Sequence, residues 1–286
     1  MQKVFVGDVQ GCGEEFAELV ARAESSFGSA FELWLVGDLI NRGPDNLGPL
    51  RRARALEAAG RLQYVLGNHE LSLLRCWLGL RQPSAYDSFQ DVLDAPDADD
   101  WMDWLRRRPL VVRGRLGEQP FAMVHASVHP DWTLDRLEQA ARGVERRLGA
   151  PLDELRSFLG GSPEPRDDDL GRLTRGRSVD AGGRWSSDEP AESGLRPWHA
   201  LWETRSHDYG VVYGHWAMQG LHVAPWLRGL DTGCVHHGRG RDGALTAWLP
   251  DPADARPFDV PDGRFWSIPA RRAYYAHRDA GPASHR

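Results

Sequence analysis

Five short motifs in this sequence each place a carboxylate, an amide or an imidazole directly after an apolar segment. They are Gly7-Asp8-Val9-Gln10-Gly11, the segment from Gly37-Asp38 to Asn41-Arg42-Gly43, Gly67-Asn68-His69-Glu70, Val124-His125-Ala126 and Gly214-His215-Trp216. Any one of them is weak evidence, because an aspartate in such a position also serves as a helix cap. Together they supply oxygen and nitrogen donors, a mixture that suits manganese, iron, cobalt or zinc.

Two such ions about 3.5–4 Å apart stabilise both the attacking and the leaving oxygen of an in-line displacement at phosphorus. A water molecule that bridges the two ions loses a proton near neutral pH and becomes the nucleophile. The motifs therefore predict a two-metal phosphoesterase in which a bridging hydroxide attacks phosphorus.

The elements that must position these motifs follow from the hydrophobic pattern. Apolar segments at 3–6, 31–36 and 62–66 alternate with helical spacing at 14–23, 47–59 and 71–80, which predicts a βαβ array. Further strands are predicted at 110–112, 121–124, 211–213, 227–230 and 244–249, with a helix at 133–148. In open α/β sheets the ligand site lies at the carboxyl ends of the strands, so we expect the five motifs to meet there.

The domain organisation predicted from this pattern is one α/β domain over residues 1–269. Within it, the acidic and aromatic segment 84–108 is predicted to be a small helical cap over the site, and residues 160–197 are predicted to be mostly loop. Residues 270–286 are polar and are predicted to form a peripheral tail.

Composition narrows the class of protein. The net charge of −6 argues against a protein that coats nucleic acid, and three dispersed cysteines without a CxxC pattern argue against a disulfide framework or a structural zinc site. The sequence has no basic segment followed by an apolar stretch, so no signal peptide is expected. No apolar run approaches the length of a membrane helix. We therefore expect a soluble cytoplasmic protein, and no segment indicates an obligate protein partner.

The order GDxxG, GDxxxRG, GNH[DE], H and GH resembles the metallophosphoesterases related to the Ser/Thr protein phosphatases. More narrowly, the chain looks like the symmetrical bis(5′-nucleosyl)-tetraphosphatases. The resemblance covers most of residues 1–249 and includes the segments GDVQGC, VGDLINRGPDNLGPLR, VLGNHELSLL, DVLDAPD, MVHASVHPDWTL, LTRGR, VVYGHWA and LDTGC. It implies a four-layer αββα sandwich with a small helical cap, and hydrolysis of diadenosine tetraphosphate to two ADP.

The same resemblance implies the metal ligands. Asp8 binds one metal, Asp38 bridges both, and the second metal is completed by Asn68, His125 and His215. Manganese or cobalt is the expected pair of divalent ions, with iron and zinc as alternatives.

Four further residues receive roles from the resemblance. His69 protonates the leaving oxygen or stabilises its charge, and Arg42 holds the non-bridging oxygens of the attacked phosphate. Arg175 is the first choice for a second phosphate-binding arginine, with Arg177 close behind.

Two residues depart from the wider pattern. Gln10 stands where a histidine ligand is usual, so it either ligates the first metal weakly or contacts only its water shell. Asn41 replaces an aspartate that orients the histidine equivalent to His69 in protein phosphatases. Asparagine hydrogen-bonds this histidine but supplies no charge, which counts against a protein phosphatase.

Other functions stay open at this point. A phosphomonoesterase or protein phosphatase would share the metals, and the substrate could also be another polyphosphate or a nucleoside-tetraphosphate cap on RNA. A non-catalytic nucleotide-binding module is the remaining alternative, suggested by the loss of the histidine at Gln10. The histidines outside the motifs, among them His199, His207, His222 and His236, are interpreted as surface or core residues.

Overall fold

The computed structural model describes residues 1–161, 168–190, 194–259 and 263–275. Its strands are β1 Gln2–Val6, β2 Phe31–Leu35, β3 Leu62–Tyr64, β4 Val111–Leu116, β5 Gln119–Val124, β6 Ser178–Val179, β7 Trp185–Ser186, β8 Arg196–Pro197, β9 Gly210–Tyr213, β10 His222–Ala224, β11 Leu227–Gly229, β12 Ala244–Trp248 and β13 Phe265–Pro269. Its helices are α1 Gly13–Phe27, α2 Leu47–Ala58, α3 Asn68–Trp77, α4 Gln90–Leu93, α5 Ala98–Arg106, α6 Leu134–Leu148, α7 Leu152–Gly160, α8 Asp169–Arg175 and α9 Trp198–Trp202.

The strands form two large mixed sheets and one small sheet. The first large sheet has the order β13-β12-β1-β2-β3, and the second has the order β10-β11-β9-β5-β4. The strands β1, β2 and β3 run parallel, as do β5, β9 and β11. Parallel neighbours bring their carboxyl ends to one edge, so each sheet presents the ends of several strands together.

The two sheets face each other across an aromatic core. Phe5 of β1 lies 5.3 Å from Trp34 of β2, 5.4 Å from Phe121 of β5 and 5.2 Å from Trp248 of β12, measured between ring centroids. Successive side chains of a strand point to opposite faces. The neighbours of Phe5 in β1, Val4 and Val6, therefore point away from this aromatic core and lie in a second hydrophobic cluster.

That second cluster joins the outer faces of the sheets to the helices. It contains Phe16 and Leu19 of α1 with the outward residues of the first sheet, and Leu137 of α6 with Val124 of the second. The layers are therefore helices, sheet, sheet, helices, which confirms the predicted αββα sandwich. Among the described residues, none of the helices combines the length and apolar character that crossing a membrane requires.

Replacing Phe5 with alanine is expected to lower the free energy of unfolding by about 3–5 kcal/mol, because it empties the contact region between the sheets. The measurement is urea unfolding of the metal-free protein. Leu152→Ala is the control, since Leu152 is 49% exposed and surface substitutions change stability by about 0.5 kcal/mol or less. Equal losses in both variants would contradict the interior position of Phe5.

The segment predicted as a cap contains the short helices α4 and α5. Trp101, Met102 and Leu105 of α5 are buried in the helix-side core. Ahead of α4, the Ser88 backbone N–H donates to Asn41 Oδ1 at 2.9 Å. Within α4, Asp91 accepts a hydrogen bond from the Asn46 side chain at 2.8 Å. In this structure the segment braces the loop from Asn41 to Asn46.

Residues 160–197 contain more regular structure than the predicted loop. The described part holds α8 and the small antiparallel sheet of β7, β6 and β8. Each of these strands has two residues, which is too short to show a period of two in the sequence. Residues 162–167 and 191–193 lie outside the described residues.

The start of the segment predicted as a tail packs on the domain. Tyr274 is 6% exposed and donates its hydroxyl to Glu15 of α1, and Tyr275 is 2% exposed. The peripheral position predicted for 270–286 therefore does not hold for these two tyrosines, because α1 offers a buried carboxylate as a partner. Residues 276–286 lie outside the described part.

Candidate active site

The five motifs meet at one edge of the sandwich, as the strand ends predicted. Asp8 follows β1, Asp38 lies three residues after β2, and His215 lies two residues after β9. The backbone N–H of His215 donates to Asp8 Oδ1 at 3.0 Å, which joins the two sheets. From the second sheet, the His125 ring reaches the Val36 carbonyl oxygen at 2.8 Å.

Asp38 lies at the centre of the cluster. Its Oδ2 is 3.4 Å from His125 Nε2 and 3.6 Å from His69 Nε2. Its Oδ1 accepts the backbone N–H of His69 at 2.8 Å. Burial favours the neutral acid, but the neighbouring His125 and His69 outweigh it and lower the pKa of Asp38. The carboxylate is therefore charged and is central enough to contact two ions.

The orientation of His125 tests whether a cation fits here. Its Nδ1–H donates to the Val36 carbonyl, so in the neutral ring Nε2 presents a lone pair. This nitrogen faces Asp38 Oδ2 and also Asn68 Oδ1 at 3.1 Å. With the Asn68 amide in this orientation three acceptors face one another, and a proton or a metal ion between them would relieve their repulsion. Burial opposes protonation, yet Asp38 raises the pKa of His125, so a positive charge is favoured at this point.

His215 completes the cluster from the opposite side. Its ring centroid lies 5.1 Å from that of His125, and its Nε2 contacts the Arg175 carbonyl oxygen at 3.2 Å. Asp38, His125 and His215 each offer a ligand atom within 4.8 Å of the others. Burial, followed by the charge of Arg177, lowers the pKa of His215, so its imidazole is neutral and able to ligate a metal.

A second carboxylate beside Asp8 was not predicted. Asp231 is buried and lines a cavity that opens over the cluster. Burial raises the pKa of Asp8, and the charges of Asp231 and Asp38 raise it further. Divalent cations would offset this concentration of negative charge. The only sequence signal for Asp231 was its place in the LDTGC segment.

The backbone is strained at the site. Gln10, Asp38, Asn41, Arg42 and His215 all have positive φ, between 47° and 78°. Such values in residues other than glycine are uncommon and cluster at functional sites. Glu70 helps to hold the strained loop, because its carboxylate accepts the backbone N–H groups of Asp38 at 3.1 Å and Leu39 at 2.8 Å.

One glycine of the motifs has a conformation that only glycine accepts. Gly37 has a φ of 109°, and a Cβ at this position would lie 2.5 Å from His125 Nδ1. A side chain would displace the His125 ring from the Val36 carbonyl.

A cavity of about 500 Å³ opens over the cluster. Its lining combines most of the predicted site residues with side chains from the segments after β9 and β11: Gln10, Asp38, Arg42, Asn68, His69, Arg177, His215, Trp216, Ala217, Met218, Asp231, His236, Arg239 and Arg241. Gln10 therefore faces the candidate metal site. His236, Arg239 and Arg241 were missed, because the segment after Cys234 matches no motif.

Arg42 joins this cavity to a second one of about 400 Å³, which is lined by Arg42, Ser72, Arg75, Arg81, Ser84, Asp87, Leu159, Gly161 and Arg175. The side chain of Arg177 faces the main cavity, whereas that of Arg175 faces the second. Both arginines named from the sequence, Arg175 first and Arg177 second, therefore line cavities that Arg42 also lines, and of the two Arg177 lines the one that contains Asp38. At the end of α8, the backbone carbonyl of Arg175 contacts His215 Nε2.

His69 and Asn41 are in direct contact. The Asn41 side chain lies 2.8 Å from His69 Nδ1 and 2.8 Å from Asp87 Oδ1. Its other end accepts the backbone N–H groups of Arg42 at 2.8 Å and Ser88 at 2.9 Å. Asp87 was not predicted to belong to the site, because no motif contains it.

Arg42 is suited to bind an anion. Its Nη1 is buried and makes no hydrogen bond within the described part of the chain, and the nearest carboxylate oxygen there, of Asp87, is 3.9 Å away. A buried guanidinium nitrogen without a partner costs free energy, which an incoming phosphate oxygen would recover.

The sequence is similar to those of known phosphoesterases. The model of the calcineurin-like phosphoesterase family matches residues 1–272. The symmetrical bis(5′-nucleosyl)-tetraphosphatase of Janthinobacterium sp. (strain Marseille) is 38% identical over 251 residues, which cover 82% of this chain and 89% of that protein. The protein of the same name from Erwinia tasmaniensis is 36% identical over 257 residues, covering 83% and 92%.

Solved structures show the same fold. A crystal structure provisionally described as a diadenosine tetraphosphatase aligns with a TM-score of 0.61 at 25% identity, covering 94% of this chain and 93% of that one. A protein serine/threonine phosphatase from Saccharomyces cerevisiae aligns with a TM-score of 0.53 at 12% identity, covering 94% and 79%. The motifs, the two-sheet sandwich and these matches agree, and the chain belongs to the calcineurin-like phosphoesterase family.

Proposed function

We propose that this protein hydrolyses diadenosine tetraphosphate to two ADP. The observation that carries the proposal is the pair of arginine-rich cavities that meet at Arg42 beside the Asp38 cluster. A single phosphate needs one such cavity, whereas a polyphosphate with a nucleoside at each end needs room on both sides of the attacked phosphorus. The names of the similar proteins support the same substrate.

Asp8, Asp38, Asn68, His125 and His215 are the residues proposed to hold two divalent ions, with Gln10 as a direct ligand or a contact to the water shell. Oxygen and imidazole donors favour manganese or cobalt, with iron and zinc as alternatives. When bound, the ions supply an activated hydroxide and neutralise charge on the phosphate. The free cysteines of the described chain support a reducing compartment, and we place the activity in the cytoplasm.

The chain's own residues perform the remaining steps. Arg42, whose Nη1 has no hydrogen-bond partner among the described residues, binds the non-bridging oxygens of the attacked phosphate. Arg177 binds a neighbouring phosphate in the main cavity, and Arg175 binds the distal part of the chain in the second. His69 directs Nε2 toward Asp38 and donates a hydrogen bond to the leaving oxygen.

The alternatives differ in what surrounds the metals. A protein phosphatase is disfavoured because Asn41 supplies no carboxylate to His69. Inorganic polyphosphate and nucleoside-tetraphosphate caps on RNA present the same phosphoanhydride chain to the site. They differ from diadenosine tetraphosphate only in what is attached to the ends of that chain. A non-catalytic binding module is disfavoured because Asp38, His125, His215 and Arg42 keep a geometry suited to the reaction.

The experiment is to strip the protein of metal, add diadenosine tetraphosphate with or without manganese or cobalt, and separate the products by chromatography. ADP as the sole product, formed only with metal, is the expected result. AMP with ATP would contradict the symmetrical cut. Rapid release of phosphate from a simple monoester, without turnover of the dinucleotide, would move the protein to the phosphomonoesterases. Inertness toward both substrates would favour the binding module.

Separate substitutions of Arg177 and Arg175 test what each cavity contributes to kcat/KM. Arg177→Ala is expected to lower kcat/KM for diadenosine tetraphosphate by about 100-fold, because it removes a charged partner near the reacting phosphate. Arg175→Ala is expected to cost about tenfold, mainly through KM, because its side chain lies in the second cavity. Steady-state kinetics check both, with Arg51→Ala at an exposed position of α2 as the control. A larger effect at Arg175 would contradict the assignment.

A further inference from the structure

A second cluster of metal-binding side chains lies outside the candidate active site. His199 is the second residue of α9, Glu203 immediately follows this helix, and His222 opens β10. Each offers a ligand atom, and the three atoms lie within 4.8 Å of one another. The two histidines are far apart in the chain and match no motif, so the sequence alone indicates ordinary surface or core residues.

The distances suit a small divalent cation. His199 Nδ1 is 3.6 Å from Glu203 Oε1, and His222 Nε2 is 3.7 Å from the same oxygen. Zinc bonds to nitrogen and oxygen of about 2.0–2.1 Å in a tetrahedron separate neighbouring ligand atoms by roughly 3.3 Å. The two nitrogen–oxygen distances therefore exceed the tetrahedral separation by only a few tenths of an ångström, and all three ligand atoms lie within 4.8 Å of one another.

Both imidazoles are held in the form that ligates metals. Burial, and then the charge of His222, lowers the pKa of His199 to about 3. Burial, and then the charge of Arg228, lowers the pKa of His222. Two neutral rings with centroids 4.3 Å apart would not be brought together by an ion pair with Glu203. Moreover, His199 Nδ1 is buried and has no hydrogen-bond partner among the described residues.

The far sides of the rings have partners of the kind that orient metal-binding histidines. His222 Nδ1 lies 2.7 Å from the Tyr213 hydroxyl, and His199 Nε2 lies 2.8 Å from the Gln219 side-chain amide. Ligation through His199 Nδ1 requires Nε2–H to donate, so the Gln219 amide must present its oxygen. A half-turn of this amide, whose two ends are interchangeable in shape, provides that oxygen. The amide nitrogen then donates to the Tyr213 hydroxyl, which in the present orientation donates to Gln219 Oε1 at 3.0 Å.

We propose that His199, Glu203 and His222 form a binding site for Zn²⁺, distinct from the catalytic pair, with water as the fourth ligand. The side chain of Glu203 is 40% exposed, which leaves the ion open to solvent on one side. Two histidines and a carboxylate are a recurrent set of zinc ligands. The ligands are oxygen and nitrogen donors without a cysteine thiolate, so the site is compatible with a reducing compartment.

The ion would connect α9 to β10 and brace the loop that carries His215. His199 lies 5.8 Å from Trp216, measured between ring centroids, and Trp216 lines the main cavity. Gln219, in the same loop, contacts both His199 and Tyr213. Through this loop the ion would be linked to the main cavity, and we assign it the role of bracing the loop.

The test counts zinc bound to the full-length protein. Metal-free wild type, the double variant His199→Gln/His222→Gln, and Glu203→Gln are equilibrated with Zn²⁺, and the retained metal is measured by mass spectrometry and by competition with a chromophoric chelator. The wild type is expected to bind one ion more than the double variant. Glu203→Gln is expected to bind that ion at least about tenfold more weakly. His207→Gln, which alters a histidine outside the cluster, is the control.

Equal zinc content in wild type and double variant would overturn the proposal, as would loss of the same ion in His207→Gln. If the double variant fails to fold, as judged by circular dichroism, Glu203→Gln decides alone: unchanged zinc affinity overturns the site. The comparison is a difference between variants, so it stands whether or not the protein hydrolyses dinucleoside polyphosphates.

Discussion

Asp38→Asn is expected to lower the metal-dependent hydrolysis of diadenosine tetraphosphate by more than about 10³-fold, the largest effect of any single change in the protein. The Asp38 carboxylate contacts both His125 and His69 and lies at the centre of the ligand cluster. Asparagine keeps the shape and removes the charge, so affinity for divalent ions falls together with activity.

The fold is expected to survive this change. The asparagine side chain retains an oxygen that accepts the His69 N–H, as Asp38 Oδ1 does, and its amide would face His125 Nε2, which presents a lone pair. Circular dichroism and thermal melting of the metal-free variant check the fold, while metal content and turnover check the site. Asp135→Asn serves as the matched control, because the Asp135 side chain is 91% exposed. Turnover within tenfold of the wild type would contradict the central role of Asp38.

The placement of Asp38 was predictable because it depends on a local rule. A glycine and an aspartate after a buried parallel strand must lie at the carboxyl edge of the sheet, whichever helices follow. The same rule placed Asp8, Asn68, His125 and His215. Strands β1, β2, β5 and β9 are apolar over enough residues to be recognised from their sequence alone.

Residues that reach the site from elsewhere could not be predicted in this way. Asp87 and Asp231 approach through the packing of α4 and the closing strands, which no local pattern specifies. Arg175 and Arg177 differ by two positions in one segment, and only the end of α8 decides which side chain faces the main cavity. The grouping of His199 with His222 likewise depends on how α9 packs against β10.

Asn41→Asp is expected to lower kcat by about 10–100-fold, although it introduces the aspartate found in the related protein phosphatases. Asn41 Oδ1 accepts two backbone N–H groups, so its amide nitrogen must be the end that donates to His69 Nδ1 and Asp87 Oδ1. A carboxylate at this position would place an oxygen about 2.8 Å from Asp87 Oδ1. Two carboxylates so close cannot both be ionised without a large cost.

The same hydrogen bonds fix the tautomer of His69. Because Asn41 donates to Nδ1, the proton of the neutral ring resides on Nε2, which points toward Asp38. Burial lowers the pKa of His69 to about 4, with Arg42 adding to the effect and Asp38 opposing it. His69 therefore acts as a neutral donor at Nε2, whereas a carboxylate partner would require the proton at Nδ1. Nitrogen-15 NMR of the His69 ring measures this directly, and a proton on Nδ1 in the wild type would contradict the argument.

The double variant Asn41→Asp/Asp87→Asn is the sharpest control for this pair. It reverses the hydrogen bond, since the amide introduced at position 87 would donate to the carboxylate introduced at position 41. The oxygen of that amide would still accept from Arg81 and the Ser84 N–H, as Asp87 Oδ2 does at 2.7 Å. We expect the double variant to recover the stability lost by Asn41→Asp and to shift the His69 proton to Nδ1. If the single variant is as stable and as active as the wild type, Asp87 does not constrain position 41. If the double variant recovers stability but not turnover, the reaction depends on the proton at His69 Nε2. The packing of residues 41 and 87 is then not the cause of the lost activity.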